Sequence, residues 1–399
     1  MTTNQEPDRT SLPSVLVLGG GRWARVIVDV LLTLVSDETS VQMVSPSGAG
    51  DLVQWLEATG RKDRVMLVER DEVDPPPGSA VLVANAAESH LESALWALTR
   101  RLPVLVEKPM ALTGADVRRL RDGGARHDTL VAPALVFRFS HHLDSFRAAL
   151  AKCGIVERVE LVWVDPAAEW RHGTTKRYDA GISVLEDCIP HAFSIFDRAF
   201  GASPTLENLA IDRGGAKVLM MLSSGTQTYD LVLERNGAAR QRILRAFGRS
   251  GMVELDFSIE PGTLLIDGAT QPAAPAPRDG PLAAMMRAFF LAANGGPIDP
   301  RLTLDTALHA GDVTDIAMAR YRECLASLLG DGLLAGPDLD YAIAELLQRP
   351  GRLDGPQFEV ASAELRLQLA RGLARRGWGD IEAAVCAARD LTVTSGAAH

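Results

Sequence analysis

The stretch Val15-Leu-Val-Leu-Gly-Gly-Gly-Arg-Trp-Ala24 decides the fold of this 399-residue chain. Four consecutive apolar residues make a strand buried on both faces, and a helical run from Arg22 to about Val35 follows the glycines directly. Between them lies a G-x-G-x-x-A pattern, Gly19-Gly20-Gly21-Arg22-Trp23-Ala24. In such a loop the first glycine permits the tight turn and the second lets backbone approach a pyrophosphate. The small third residue lets the helix pack closely on the strand. Gly19, Gly21, Arg22, Trp23 and Ala24 are therefore the first candidate cofactor-binding residues.

The alternation continues outward from this loop. Strands are expected at Val41–Val44, Arg64–Val68, Ala80–Ala84, Pro103–Val106 and Leu130–Leu135. Helices are expected at Asp51–Gly60, Glu88–Arg101 and Ala115–Gly123. Strands apolar on both faces and separated by helices predict a doubly wound parallel sheet, an α/β domain over residues 14–136 behind a disordered leader, 1–13. After Phe137 the pattern changes. Longer strands separated by tight turns, Val156–Val164, Lys217–Ser223, Thr226–Glu234, Arg242–Phe247 and Gly251–Phe257, predict an α+β domain with a largely antiparallel open sheet over 137–329. Residues 330–399 read as a helical C-terminal extension. Leu339, Ile343, Leu346 and Leu347 recur at helical spacing, as do Leu365, Leu367, Leu369 and Leu373. Such stripes must be buried against something, and the expected partner is the first domain or a neighbouring subunit.

Composition sets limits. The net charge of −10 disfavours nucleic acid as a partner. The four cysteines, Cys153, Cys188, Cys324 and Cys386, form no closely spaced pair, which points to a reducing compartment, the cytoplasm, and to no thiolate metal site. No apolar run is long enough for a membrane span. Only five of the 41 basic residues are lysines, so a lysine at the end of a strand is informative.

Five elements, in this order, resemble the Gfo/Idh/MocA oxidoreductase family, named for glucose–fructose oxidoreductase and inositol dehydrogenase. They are the glycine loop; Asn85-Ala-Ala-Glu-Ser-His90; Glu107-Lys-Pro109; Phe137-Arg-Phe139; and Gly181-Ile-Ser-Val-Leu-Glu-Asp-Cys-Ile-Pro-His191. The resemblance spans roughly residues 14–325. It implies hydride transfer between a nicotinamide and a small polar carbonyl or hydroxyl substrate, a sugar, cyclitol or sugar-like acid, in a homo-oligomer. An imine or keto intermediate of a specialised pathway is the alternative substrate, and a non-catalytic cofactor-binding sensor or scaffold the alternative function. Two departures stand out. Ala86 replaces the family's proline and is expected to shift the cofactor loop slightly. Ile189 replaces a glycine and is expected to add bulk beside the substrate.

The chemistry is assigned to three residues. Lys108 follows a parallel strand, where open α/β sheets bind ligands, and an ammonium there can polarise a carbonyl. Asp187 and His191, four apart, share a helix face. The helix is expected to start near Asp187 or to kink at Pro190. A neutral imidazole can take or give a hydroxyl proton, and the carboxylate can orient it. Asn85, His90, Glu107 and Lys108 are expected on the cofactor. No acid ends the second strand, where Ser45-Pro-Ser47 stands, and Arg22 can meet a 2′-phosphate. NADP(H) is therefore preferred to NAD(H). Arg138, Trp170, Arg171, Lys176 and Tyr178, with His191, are the expected substrate contacts. His141 and His142 face different ways and lack a third ligand, so no metal site is expected.

Overall fold

The computed structural model describes residues 9–330, apart from 46–48, 70–71, 172–173, 177–181, 261, 273–276 and 278, together with residues 334–336, 338, 341–342 and 345. The first unit is a six-stranded parallel sheet. β1 (Ser14–Leu18) and β2 (Ser40–Val44) are joined by α1 (Arg22–Leu34). Beyond α2 (Ala49–Ala58) come β3 (Val65–Leu67) and β4 (Ala80–Val83). α3 (His90–Thr99), β5 (Val104–Val106), α4 (Gly114–His127) and β6 (Val131–Pro133) complete it. The strand order is β3-β2-β1-β4-β5-β6. Every residue of β1, β4 and β5 is buried, as their unbroken apolar runs require. Strand order reverses between β1 and β4, so the carboxyl ends of these two strands open a crevice between their loops.

The second unit begins with α5 (His141–Ala149) and β7 (Val156–Pro166). β8 (Glu169–Arg171) and β9 (Thr174–Lys176) then pair as a small separate hairpin, and α6 (Val184–Phe200) follows. The large sheet adds β10 (Thr205–Asp212), β11 (Lys217–Ser224), β12 (Gln227–Gly237), β13 (Gln241–Gly248), β14 (Gly251–Asp256), β15 (Thr263–Ile266) and β16 (Ala269–Thr270). Its order is β10-β11-β12-β7-β13-β14-β15-β16, antiparallel throughout except for the parallel pair β12–β7. Strands β8, β9, β10, β15 and β16 were not expected from the sequence. The inward side chains of β7, Val159, Leu161 and Trp163, and of β12, Tyr229, Leu231 and Leu233, pack on α6 residues such as Ile189, Phe193 and Phe196. The outward face carries ion pairs such as Arg158–Asp230 (2.7 Å) and Arg245–Glu254 (2.6 Å).

Two helices tie the units together. α7 (Pro281–Ala293) stands with the second unit in sequence, yet Met285, Met286, Phe289 and Phe290 are buried in the first unit's core with Ile27 and Leu31 of α1. α8 (Asp305–Gly330) packs on both α4 and α6. Where the chain beyond α8 is described, it packs on the second unit and not on the first. Leu334 and Ala342 join the core beneath the second sheet, with Tyr321 and Leu325. Asp338 seats against Gly214, whose positive φ of 62° leaves no room for a Cβ beside the Asp338 carbonyl. Leu339, Ile343, Leu346 and residues 346–399 lie outside the described residues.

His142 tests this core. Its imidazole stacks on Phe257 at 5.5 Å, and burial pushes its pKa down from 6.5 to about 4. The unfolded chain therefore binds the extra proton between these values, and this group's contribution to stability falls as pH drops through that window. It amounts to at most ~3 kcal/mol. Urea midpoints of the wild type should fall more steeply between pH 6.5 and 4 than those of His142→Phe. Parallel pH profiles for the two proteins would refute the assignment.

Candidate active site

Both strand ends at the crevice feed one cleft of about 550 Å³. The glycine loop forms its first wall. Gly19 has φ of 140°, and a Cβ there would overlap the Ala84 carbonyl at the end of β4, so only glycine brings the two loops together. Ala24 is fully buried against the sheet. Gly21 is the N-cap of α1, with no side-chain cap, no acid in the first turn and open space where a Cβ would stand. That helix N-terminus, bordered by Arg22 and Trp23 of the cleft wall, has the form of an anion cradle. Pyrophosphate fits it.

The next wall comes from β4 and β5. Asn85 gives its amide to Ser93 Oγ at 2.9 Å. His90 is buried, its ring nitrogens against Pro109 O (2.7 Å) and Asn85 O (3.1 Å), so it clamps the β4 and β5 loops to one another. Ala86 has φ −64° and ψ 140°, backbone angles a proline adopts, so its substitution for proline leaves the loop unshifted. Glu107 is buried, and burial raises its pKa although the Trp23 indole donates to it and Lys108 lies nearby.

Lys108 reaches across to the second unit. Its ammonium is ion-paired and hydrogen-bonded to Asp187 Oδ1 and lies 3.4 Å from the Asp187 carbonyl. α6 presents Asp187 and His191. The helix starts at Val184, three residues earlier than the sequence suggested, because Ser183 and Glu186 form a capping box. Pro190 lies inside it. Burial disfavours ionised Asp187, yet Lys108, Arg235 and His191 together hold its carboxyl well below the usual range. Burial likewise disfavours charged Lys108, and the Asp187 carboxylate outweighs it, so the ammonium pKa is raised. Lys108, Asp187 and His191 thus meet at one cleft, with the ion pair spanning the two units.

The far wall was not foreseen. The His191 ring stacks on Trp163 (4.9 Å, 19° between planes) and meets the edge of Phe137 at 5.3 Å. The Arg242 guanidinium covers the Trp163 ring, 3.6 Å from its centroid, and is ion-paired to Asp165. Arg240, Glu260 and Ser140 also line the cleft, as do Gly280, Pro281, Leu282 and Ala283 at the start of α7. A signal existed. Trp163, Asp165, Arg235 and Arg242 occupy the same strand parity as the buried Leu161, Leu233 and Leu244, so charges there had to face inward.

Several expected contacts are not at the cleft. Arg138 donates to Asp197 (2.7 Å) and to the carbonyls of Arg301 (2.8 Å) and Thr303 (3.2 Å), tying α6 to the turn before α8. Trp170 on β8 is 75% exposed and is not among the cleft's lining residues. Arg171 and Lys176 fall on β8 and β9, their side chains outside the described residues, as are Tyr178 and Ser47. Ser45 packs where Gly20 meets the end of β2 and does not line the cleft. Ile189 is wholly buried in the second core, so it adds no bulk beside a substrate. Among the described residues no group of acids, histidines and cysteines could hold a metal, and no helix is long and apolar enough to cross a membrane.

No family model and no curated sequence matches the chain. Solved structures do. A 3-ketoreductase from Actinomadura kijaniata, solved with NADP and TDP-benzene, is 19% identical, with 76% of this chain and 96% of that one covered at a TM-score of 0.61. UDP-N-acetylglucosamine 3-dehydrogenase from Acidithiobacillus ferrooxidans is 17% identical over 80% of this chain and 99% of that one, with a TM-score of 0.60. An aldose-aldose oxidoreductase from Caulobacter crescentus is 18% identical over 79% and 98%, with a TM-score of 0.61. The shared property is the fold: the chain has the two-unit architecture of the Gfo/Idh/MocA-type oxidoreductases.

Arg138→Ala separates structural from substrate-binding roles. Loss of the guanidinium strands Asp197 and two carbonyls, a cost of about 3 kcal/mol read as a lowered denaturant midpoint. An unchanged midpoint would contradict this placement.

Proposed function

We propose that the chain is an NADP(H)-dependent oxidoreductase acting on the carbonyl or hydroxyl carbon of a sugar, cyclitol or sugar-like acid. The observation that carries the reading is the convergence of an uncapped helix N-terminus with Lys108, Asp187 and His191 on a single cleft. Neighbours of the same fold, a 3-ketoreductase holding NADP, a UDP-N-acetylglucosamine 3-dehydrogenase and an aldose-aldose oxidoreductase, support it.

The residues divide the work by position. The first turn of α1 and Arg22 hold the cofactor's phosphates, with Gly19, Gly21 and Ala24 shaping the loop. Ser45 ends β2 in place of a carboxylate, so no negative charge there repels a 2′-phosphate. Trp23, Asn85, His90 and Glu107 border the ring end. A nicotinamide bound there supplies or accepts the hydride. Lys108 Nζ donates a hydrogen bond to the substrate oxygen and stabilises charge on it, while Asp187 keeps that ammonium charged and aimed. His191, oriented between Trp163 and Phe137, gives a proton to that oxygen in reduction or takes it in oxidation. Ser140, Arg240 and Glu260 offer polar contacts for the rest of a hydroxylated substrate. The proposal places the protein in the cytoplasm, as a homo-oligomer joined through the outer face of the second sheet, where Leu219 and Met221 are exposed. The imine reading loses the bulk of Ile189 that recommended it, and a scaffold has no use for the half-buried Lys108–Asp187 pair.

Turnover of NADPH and NADH over a panel of sugar, cyclitol, keto-acid and imine substrates tests the reading. NADPH should be consumed faster than NADH with a sugar-like carbonyl. Lys108→Ala should lower kcat by about 10²–10³-fold with NADPH affinity retained. Unaltered turnover in both Lys108→Ala and His191→Ala would overturn the mechanism.

A further inference from the structure

Behind the cleft, Arg235 is almost completely enclosed, its side chain 1% exposed. A guanidinium so placed must be paired, because an uncompensated buried charge costs several kcal/mol. Its donors go to the carbonyls of Ile182 (2.8 Å) and Ser183 (3.1 Å), the residues that open α6, and to Asp187 Oδ2 at 3.3 Å. Arg235 thus holds the face of Asp187 that Lys108 does not. Its remaining anionic neighbour comes from the C-terminal extension. Glu345 Oε1 lies 3.5 Å from Arg235 Nη1, and that carboxylate side chain is 2% exposed.

The chain reaches this place through definite contacts. After α8 it passes Gly214 at Asp338 and buries Tyr341 and Ala342 against the second core. The result is an alternating row of charge, half-buried at Lys108 and Asp187 and enclosed at Arg235 and Glu345. With Glu345 the row is neutral. Without it, two cations share one carboxylate in a low-dielectric interior, where like charges repel far more than in water.

We propose that the C-terminal segment completes the active site, with Glu345 as a positioning residue that balances Arg235 and so leaves Asp187 committed to Lys108. The inference rests on the roles given above to Lys108 and Asp187. The other ionisable groups around Lys108 are Glu107 and Cys188, and those around Arg235 are Tyr341 and Cys188. Beside Glu345 stands Tyr321, whose phenol pKa is raised by burial and by Glu345 itself, so it stays uncharged. Removing the Glu345 charge deprives the row of an anion and draws Asp187 toward Arg235. Both effects lower the affinity of Lys108 for its proton.

The test is the pH dependence of Lys108 acylation by an amine-directed reagent in trace amounts, read by mass spectrometry on the full-length chain. It needs neither cofactor nor substrate, so its outcome is independent of whether the proposed reaction occurs. Glu345→Gln, close in shape to the original, should lower the midpoint of Lys108 labelling by about half a pH unit or more, equivalent to roughly threefold faster labelling at a fixed pH below the midpoint. Glu345→Asp, which keeps the charge, should recover part of the shift. Should Glu345→Gln be too unstable, the comparison is made with Glu345→Asp alone, whose midpoint should move the same way by less. A labelling midpoint unchanged from wild type in whichever variant folds would overturn the proposal and reduce Glu345 to packing. Labelling that shifts while no carbonyl substrate is turned over would instead sink the proposed function and leave the charge row standing.

Discussion

The ion pair between Lys108 and Asp187 is the constraint on which the arrangement of the cleft depends. One partner ends the fifth parallel strand of the first unit and the other stands in the first turns of α6 in the second. Each would resist burial alone, and together they satisfy one another, so the pair fixes where the two units meet. The pair also sets protonation: Asp187 stays a carboxylate and Lys108 an ammonium. A donor of fixed charge is therefore already in place where charge would grow on a substrate oxygen, which removes the reorganisation that water would require.

Around this pair the second sheet is an electrostatic backing as much as a core. Its inward parity is apolar along most of β7, β12 and β13, then changes to Trp163, Asp165, Arg235 and Arg242 at the end nearest α6's first turns. Arg242 covers one face of Trp163 and His191 stacks on that ring as well, so the histidine's orientation is inherited from two strands of the sheet. The helices α7 and α8 reinforce the junction. α7 buries four large apolar side chains in the first unit's core, and α8 packs against helices of both units. A rigid junction of this kind suits a site whose parts come from both sides.

Much of this was legible in the sequence, for identifiable reasons. The run Val15–Leu18 followed by three glycines can pack only as a buried strand entering a tight turn, and the apolar strands after it left little choice but a parallel sheet. Lys108, Asp187 and His191 were readable because lysine is scarce and four-residue spacing shares a helix face. The start of α6 was misplaced because the capping box at Ser183 and Glu186 was overlooked. β10 escaped notice because its exposed, charged positions mask a weak alternation. Arg138 and Trp170 were assigned to the substrate on their place in the sequence and the family resemblance, which cannot tell a side chain turned toward the cleft from one holding α6 in place or one in solvent. Ile189 failed similarly, since two residues before the histidine on a helix is the opposite face. The charge row ending in Glu345 joins positions more than 200 residues apart, and no local pattern announces such a pairing.

The account stands on a nicotinamide cofactor lying in the cleft beside Trp23, and energy transfer from tryptophan to bound NADPH measures that directly. Trp23 and Trp163 both line the cleft, so together they should be the dominant donors. Titration with NADPH should give saturable sensitised nicotinamide emission in the wild type, and Trp23→Phe combined with Trp163→Phe should retain saturation with most of that emission lost. Absence of saturable transfer, or a signal indifferent to both replacements together, would contradict the placement of the cofactor and with it the reading of the site.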